Sequence, residues 1–173
     1  MKRLGDLVGD GRTSLERFLA LHADPVLLHA EPLGGGDERE FRTRLGGGAP
    51  SRLEMALELA LRPDLLVTPV RKGPAGAFQG QISVGRTRAS DLSFPYARLS
   101  KFHAYFTWAG EPRAYSLTDA GSTNGTFVDG RRLEPKAPAP VPDGAYVTFG
   151  HYHFLFLTPP GLYRALNQLS PAP

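Results

Sequence analysis

Arg86, Ser100, Lys101, Thr123 and Asn124 carry side chains whose types could together hold a phosphate ester, although each could also be an ordinary surface or turn residue. A phosphate monoester brings close to two negative charges and three strong acceptor oxygens, so its site needs fixed donors and no free carboxylate beside them. Arg86 offers a planar fork for bidentate contact, Lys101 a mobile point charge, and Ser100 a compact hydroxyl. Thr123 and Asn124 lie in a polar stretch flanked by Gly121 and Gly125, where a hydroxyl and an amide can face outward. None of the five falls inside an apolar run. All sit where strands end and loops begin, the usual place for binding groups.

Elements must then bring these scattered residues together. Leu65 to Val70, Gln81 to Val84, Phe102 to Trp108, Tyr115 to Asp119, Thr126 to Val128, Arg132 with Leu133, Tyr146 to Phe149 and Tyr152 to Leu157 read as strands. Asp129-Gly130 is a hairpin-turn dipeptide between two of them. The sequence has 20 glycines and 16 prolines, which favours many turns over long helices. Short strands at close spacing with turn signals between them predict a mainly β protein, an antiparallel β-sandwich.

Four motifs occur in order within this strand-rich stretch. They are Gly85-Arg86, Leu99-Ser100-Lys101-Phe102-His103-Ala104, Asp119-Ala120-Gly121-Ser122-Thr123-Asn124-Gly125-Thr126-Phe127, and Asp143-Gly144 with Phe149-Gly150. Together they resemble the forkhead-associated (FHA) domain family over residues 64–160. The resemblance implies phosphothreonine-peptide recognition in Ser/Thr-kinase signalling. It implies that Arg86 and Ser100 contact the phosphate, with Lys101 helping. Thr123 would lie against the phosphothreonine and Asn124 would hold the peptide backbone. Arg98, two residues before Ser100, would read a residue C-terminal to the phosphothreonine. Gly85, His103 and Gly125 would be architectural, the histidine bracing the binding loops. The family also implies a preference for threonine over serine, through a small pocket for the γ-methyl.

Residues 1–62 are expected to form a small, partly helical N-terminal extension, and residues 161–173 a C-terminal tail with one helical turn. Thr13 and Glu16 fit a capping box, with Leu15, Phe18 and Leu19 on one helical face and Pro25 ending the helix. Val26 to Leu28 reads as a short strand. Ser51 with Glu54 repeats the capping signature before a second helix stopped by Pro63. The glycine triplets at 34–36 and 46–48 lack the following residues of a phosphate cradle and read as loops. Thr13 or Thr43, if phosphorylated, would permit self-binding between copies of the protein.

Other chemistries are disfavoured. There is no cysteine, which excludes disulfides and thiol sites. No apolar run is long enough to span a bilayer, and no leader-like segment opens the sequence, so a cytoplasmic protein with no membrane partner is expected. The formal charge of +3 is modest and scattered, unlike the dense stripe of a nucleic-acid binder. The preference for arginine over lysine suggests a GC-rich bacterial genome. His151 and His153 lack an evident third ligand, so neither metal nor cofactor is expected. Ser100, His103 and Asp119 invite a hydrolase triad, but the strained nucleophile elbow is missing, and no enzyme is expected. Asn124-Gly125-Thr126 is a glycosylation sequon with no leader to expose it to the modifying machinery. The alternative to phosphopeptide binding is a phosphate-independent protein–protein scaffold, using the sandwich surface or the N-terminal segment.

Overall fold

The computed structural model describes residues 2–30, 62–74, 78–110 and 113–169. The two glycine triplets, the helix expected after Ser51 and Thr43 lie outside them. The described elements begin with β1 (Lys2–Arg3), a 3-10 turn (Leu4–Leu7), α1 (Val8–Gly11), α2 (Leu15–Leu21) and β2 (Val26–His29). Strands β3 (Leu66–Pro69), β4 (Ile82–Gly85), β5 (Leu92–Ser93), β6 (Ala104–Ala109) and β7 (Ala114–Asp119) follow. After them come β8 (Thr126–Val128), β9 (Arg131–Arg132), β10 (Pro138–Pro140), β11 (Ala145–Phe149), β12 (Tyr152–Leu157) and α3 (Pro159–Leu169).

Two sheets face one another. One has seven strands in the order β1-β3-β2-β12-β11-β8-β9, the other five in the order β10-β7-β6-β4-β5. Side chains alternate across each strand, so each sheet sends every second residue inward. Val84, Phe106 and Leu117 meet Val147, Phe149, Phe154 and Phe156 in the core between them. The pairing is antiparallel throughout except for β4 with β5, where Val84 lies beside Leu92 and Gly85 beside Ser93. The expected antiparallel sandwich is therefore present, with one short parallel edge added.

Three neighbouring strands of the seven-stranded sheet, β3, β2 and β12, are buried on their outer face as well. Leu28, Val67, Leu155 and Leu157 point away from the sandwich core and pack with Leu4, Leu7, Phe18, Leu162 and Leu166. The run Phe154-Leu155-Phe156-Leu157 serves both sides, its phenylalanines in the sandwich and its leucines under the helices. A strand covered on both faces has this continuous apolar sequence instead of an alternating one.

Several expectations change at this level. The early part of the protein is not an appendage to the sandwich: β2 lies between β3 and β12 in the sheet, with Leu27 opposite Thr68 and Phe156. The N-cap of α2 is Ser14, whose hydroxyl oxygen accepts from the Arg17 N–H, not Thr13, whose hydroxyl instead donates to the Asp10 carbonyl. With the helix shifted by one residue, Leu15 is exposed while Phe18 is buried. The C-terminal turn expected around 162–169 is an eleven-residue helix that starts at Pro159 and covers the sheet with Leu162, Ala165 and Leu166. β5 and β10 had no strand signal; one is two residues long and the other is Pro-Ala-Pro. The Asp129-Gly130 turn forms as read, with positive φ at both residues (49° and 78°).

Candidate functional site

Three loops meet at one end of the sandwich, after β4, before β6, and between β7 and β8. Gly85 ends β4, and its position dictates its type. A Cβ there would collide with the Lys101 carbonyl and with Ser90 Oγ. The bare backbone allows the β4 end and the 99–103 loop to touch, and Arg86 N–H donates to the Ser100 carbonyl at 3.0 Å. Arg86 is therefore fixed by its backbone while its side group is exposed.

His103 joins the second loop to the third. It is fully buried, and its ring bonds on both sides. Ser100 N–H donates to Nδ1 at 3.2 Å, so that nitrogen carries no proton. Nε2 then holds the proton and donates to the Gly125 carbonyl at 3.1 Å. Burial pushes the imidazole pKa below its ordinary value, opposed but not reversed by the Gly125 carbonyl and the Asp119 charge. The ring is a neutral strut between loops.

Asp119 shapes the third loop from within. Its carboxylate is buried and accepts from Gly121 N–H (2.9 Å), Ser122 N–H (3.0 Å), Ser122 Oγ (2.6 Å) and Thr126 Oγ1 (2.6 Å). Desolvation alone would raise its pKa, yet these four donors hold it below the usual carboxylate range. The loop's negative charge is thus turned inward and satisfied. The backbone reverses at Gly125, with φ of +84°, where a Cβ would lie 2.9 Å from Arg132 Nε. The Gly125 carbonyl also accepts from Gly150 N–H at 2.8 Å, tying in the last of the four motifs.

The residues singled out in the sequence converge on this rim. Ser100 Oγ accepts from Thr123 N–H at 3.1 Å. Asn124 Nδ2 donates to the Arg98 carbonyl at 2.8 Å. Arg86, Lys101, Arg98 and Thr123 are exposed, and Ser100 and Asn124 half-buried. Among the described residues, the Arg86 and Lys101 side chains have no hydrogen-bond or ion-pair partner. The hydrolase geometry is missing: His103 meets the Ser100 backbone, not its hydroxyl, and both Asp119 oxygens serve the loop. Among the described residues no cluster of three His, Cys, Asp or Glu side chains could hold a metal, and no helix is long and apolar enough to cross a membrane.

The sequence reading gives Asp119 as a strand end, a motif residue and a rejected triad member, but assigns neither it nor Ser122 or Thr126 the part of shaping the loop. The signal was available, since an Asp with a glycine two residues on and a serine three residues on can cap a turn through its own carboxylate. It also passed over Phe102 as an ordinary strand residue. β6 begins only at Ala104, and Phe102 stands outside it.

Residues 82–150 match the family model of the FHA domain, and this stretch of the protein is an FHA domain. The sequence is also similar to the ABC transporter ATP-binding/permease protein Rv1747 of Mycobacterium tuberculosis, 32% identical over 111 residues. The match takes in 64% of this protein, which spans only 11% of that relative's length. Among solved structures it is similar to the yeast Dun1 FHA domain in complex with a doubly phosphorylated peptide from Rad53. That likeness is 20% identical with a TM-score of 0.49, covering 78% of this protein and 73% of the other. It is similar also to the N-terminal FHA domain of Rad53 from S. cerevisiae in complex with a phosphothreonine peptide, at 20% identity and a TM-score of 0.46, covering 57% and 89%.

Proposed function

We propose that this protein is a phosphothreonine-peptide-binding adaptor in Ser/Thr-kinase signalling, and that it recognises its partner without catalysing a reaction. The observation that carries the reading is the convergence of Arg86, Lys101, Ser100 and Thr123 on one exposed rim, where the carboxylate of the β7–β8 loop, Asp119, is buried and fully bonded. Such a rim offers positive charge and hydroxyls to a dianion and turns its own loop carboxylate away from it.

The hydrogen bonds inside the site define what remains for a ligand. Ser100 Oγ accepts from Thr123 N–H, which leaves its own proton to donate to a phosphate oxygen. Asn124 spends one amide proton on the Arg98 carbonyl, leaving Oδ1 and the second proton for a peptide backbone. Arg86 supplies the fork and Lys101 a second charge. Arg98 would read a residue following the phosphothreonine. His103, with both ring nitrogens engaged, holds the loops at their spacing and has no nitrogen left for proton transfer. Preorganised donors of this kind reduce the ordering cost of binding.

The test is recovery of partners from a cell extract on the immobilised protein, with and without prior phosphatase treatment. Partners that appear only in untreated extract, and that are lost with Arg86→Ala, support the reading. Partners retained after dephosphorylation would favour the phosphate-independent scaffold.

A further inference from the structure

We propose that an aromatic strip beside the phosphate site, the exposed Phe78 and Phe102 with the half-buried Tyr105, receives an apolar side chain of the same phosphorylated peptide, on the side of the phosphate away from Arg98. The proposal rests on the phosphothreonine reading above. Phe78 and Phe102 are 52% and 37% exposed, unusual for residues of this size, and they pack on each other at 5.8 Å between ring centroids. Phe102 lies parallel to Tyr105 at 6.1 Å, with 3° between the ring planes. The three rings form one continuous surface, although Phe78 and Phe102 come from different loops. An exposed contiguous apolar patch marks a place of contact, and aromatic side chains are favoured anchors there.

Position decides the occupant. Ser100 bonds to the β7–β8 loop through Thr123 N–H, while the Lys101 carbonyl accepts from Thr87 and Ser90 on the far side of Gly85. Phe102, one residue on, reaches Phe78 in the loop before β4. The segment from Ser100 to Phe102 thus crosses the rim away from the Asn124–Arg98 pair. The strip begins at the residue after Lys101 and continues the phosphate site directly. A peptide with its phosphate at Arg86 and its following residues at Arg98 would pass its preceding residues over these rings. An aliphatic or aromatic side chain there would be buried against them. A charged one would lose hydration, and the three rings supply no counter-charge.

Phosphothreonine peptides carrying leucine, alanine or aspartate at each residue preceding the phosphothreonine, titrated against the wild type, Phe102→Ser and Phe78→Ser, test this. At one upstream position leucine should bind roughly tenfold more tightly than alanine to the wild type, the scale of burying one apolar side chain. Both variants should lose that gap yet bind the alanine peptide as the wild type does, which also shows that they fold. Equal binding of leucine and alanine peptides by the wild type would overturn the proposal, as would a gap that survives in both variants. Concentration-dependent dimerisation abolished by the two substitutions, with no leucine preference, would overturn it in favour of a self-association face. Failure of the wild type to bind any phosphopeptide would instead refute the underlying function.

Discussion

At the scale of single residues, a donor set becomes a site when its members are held by bonds a ligand need not supply. Arg86 is positioned through its backbone bond to Ser100, so replacing its guanidinium stem should leave the loop in place. Arg86→Ala is expected to weaken phosphopeptide binding by about 2–5 kcal/mol, the usual cost of removing one partner of a desolvated charge pair. Its melting temperature should stay within the range of the wild type. A phosphoserine peptide is expected to bind about fourfold more weakly than phosphothreonine, from one lost methyl contact of about 0.8 kcal/mol. His103 makes a separate prediction about pH. Its folded-state pKa lies below the ordinary value because of burial, so the unfolded state takes up the proton first. Stability should be complete above about pH 6.5 and fall as the pH drops toward the folded pKa. Thermal melting from about pH 7.5 down to about pH 5.5 should show this decline, and His103→Gln should flatten it. A decline unchanged by the substitution would assign it to other groups.

At the scale of elements, the β7–β8 loop depends on one carboxylate. Asp119→Ala removes an acceptor from four donors and strands the buried Thr126 hydroxyl. Hydrogen bonds to a charged group contribute about 1.5–3 kcal/mol each when broken singly, and the four act as one network. Denaturant unfolding should register a loss of at least about 2 kcal/mol, and phosphopeptide binding should weaken although Asp119 faces away from the ligand. Intact binding would mean that the loop holds its shape by other means. The four motifs that meet at the rim were legible as sequence patterns because each is short and local, as with Gly85-Arg86 and Thr123-Asn124-Gly125. The wiring among them was not, because the bonds from Ser100 to Thr123 and from Asn124 to Arg98 join residues far apart in sequence. Strands with several apolar residues were also legible, whereas β5 and β10 each put a single residue, Leu92 and Ala139, against the core, too few to make a pattern.

At the scale of the whole molecule, the sandwich and its helical cover share one structure in which β2 is an interior strand. The expected division near residue 62 followed the change from helix-like to strand-like sequence, and that change does not mark where the sheet ends. The apolar run 154–157 held the clue, since both parities are hydrophobic and both faces are covered. We propose that the folding unit is the span from β1 to α3. A truncated form beginning at Asp64 should therefore lose cooperative unfolding, whereas one spanning residues 2–169 should keep it, as circular dichroism during heating would report. Under the proposed function, phosphate recognition would belong to the rim this unit builds. The direct measurement is calorimetric titration of the 173-residue protein with a phosphothreonine peptide drawn from a partner recovered in the extract experiment, and with its unphosphorylated form. Saturable binding of the phosphorylated peptide alone, lost with Arg86→Ala, is the expected result. Equal affinity for the two peptides, or undiminished binding by Arg86→Ala, would contradict phosphothreonine recognition at this rim.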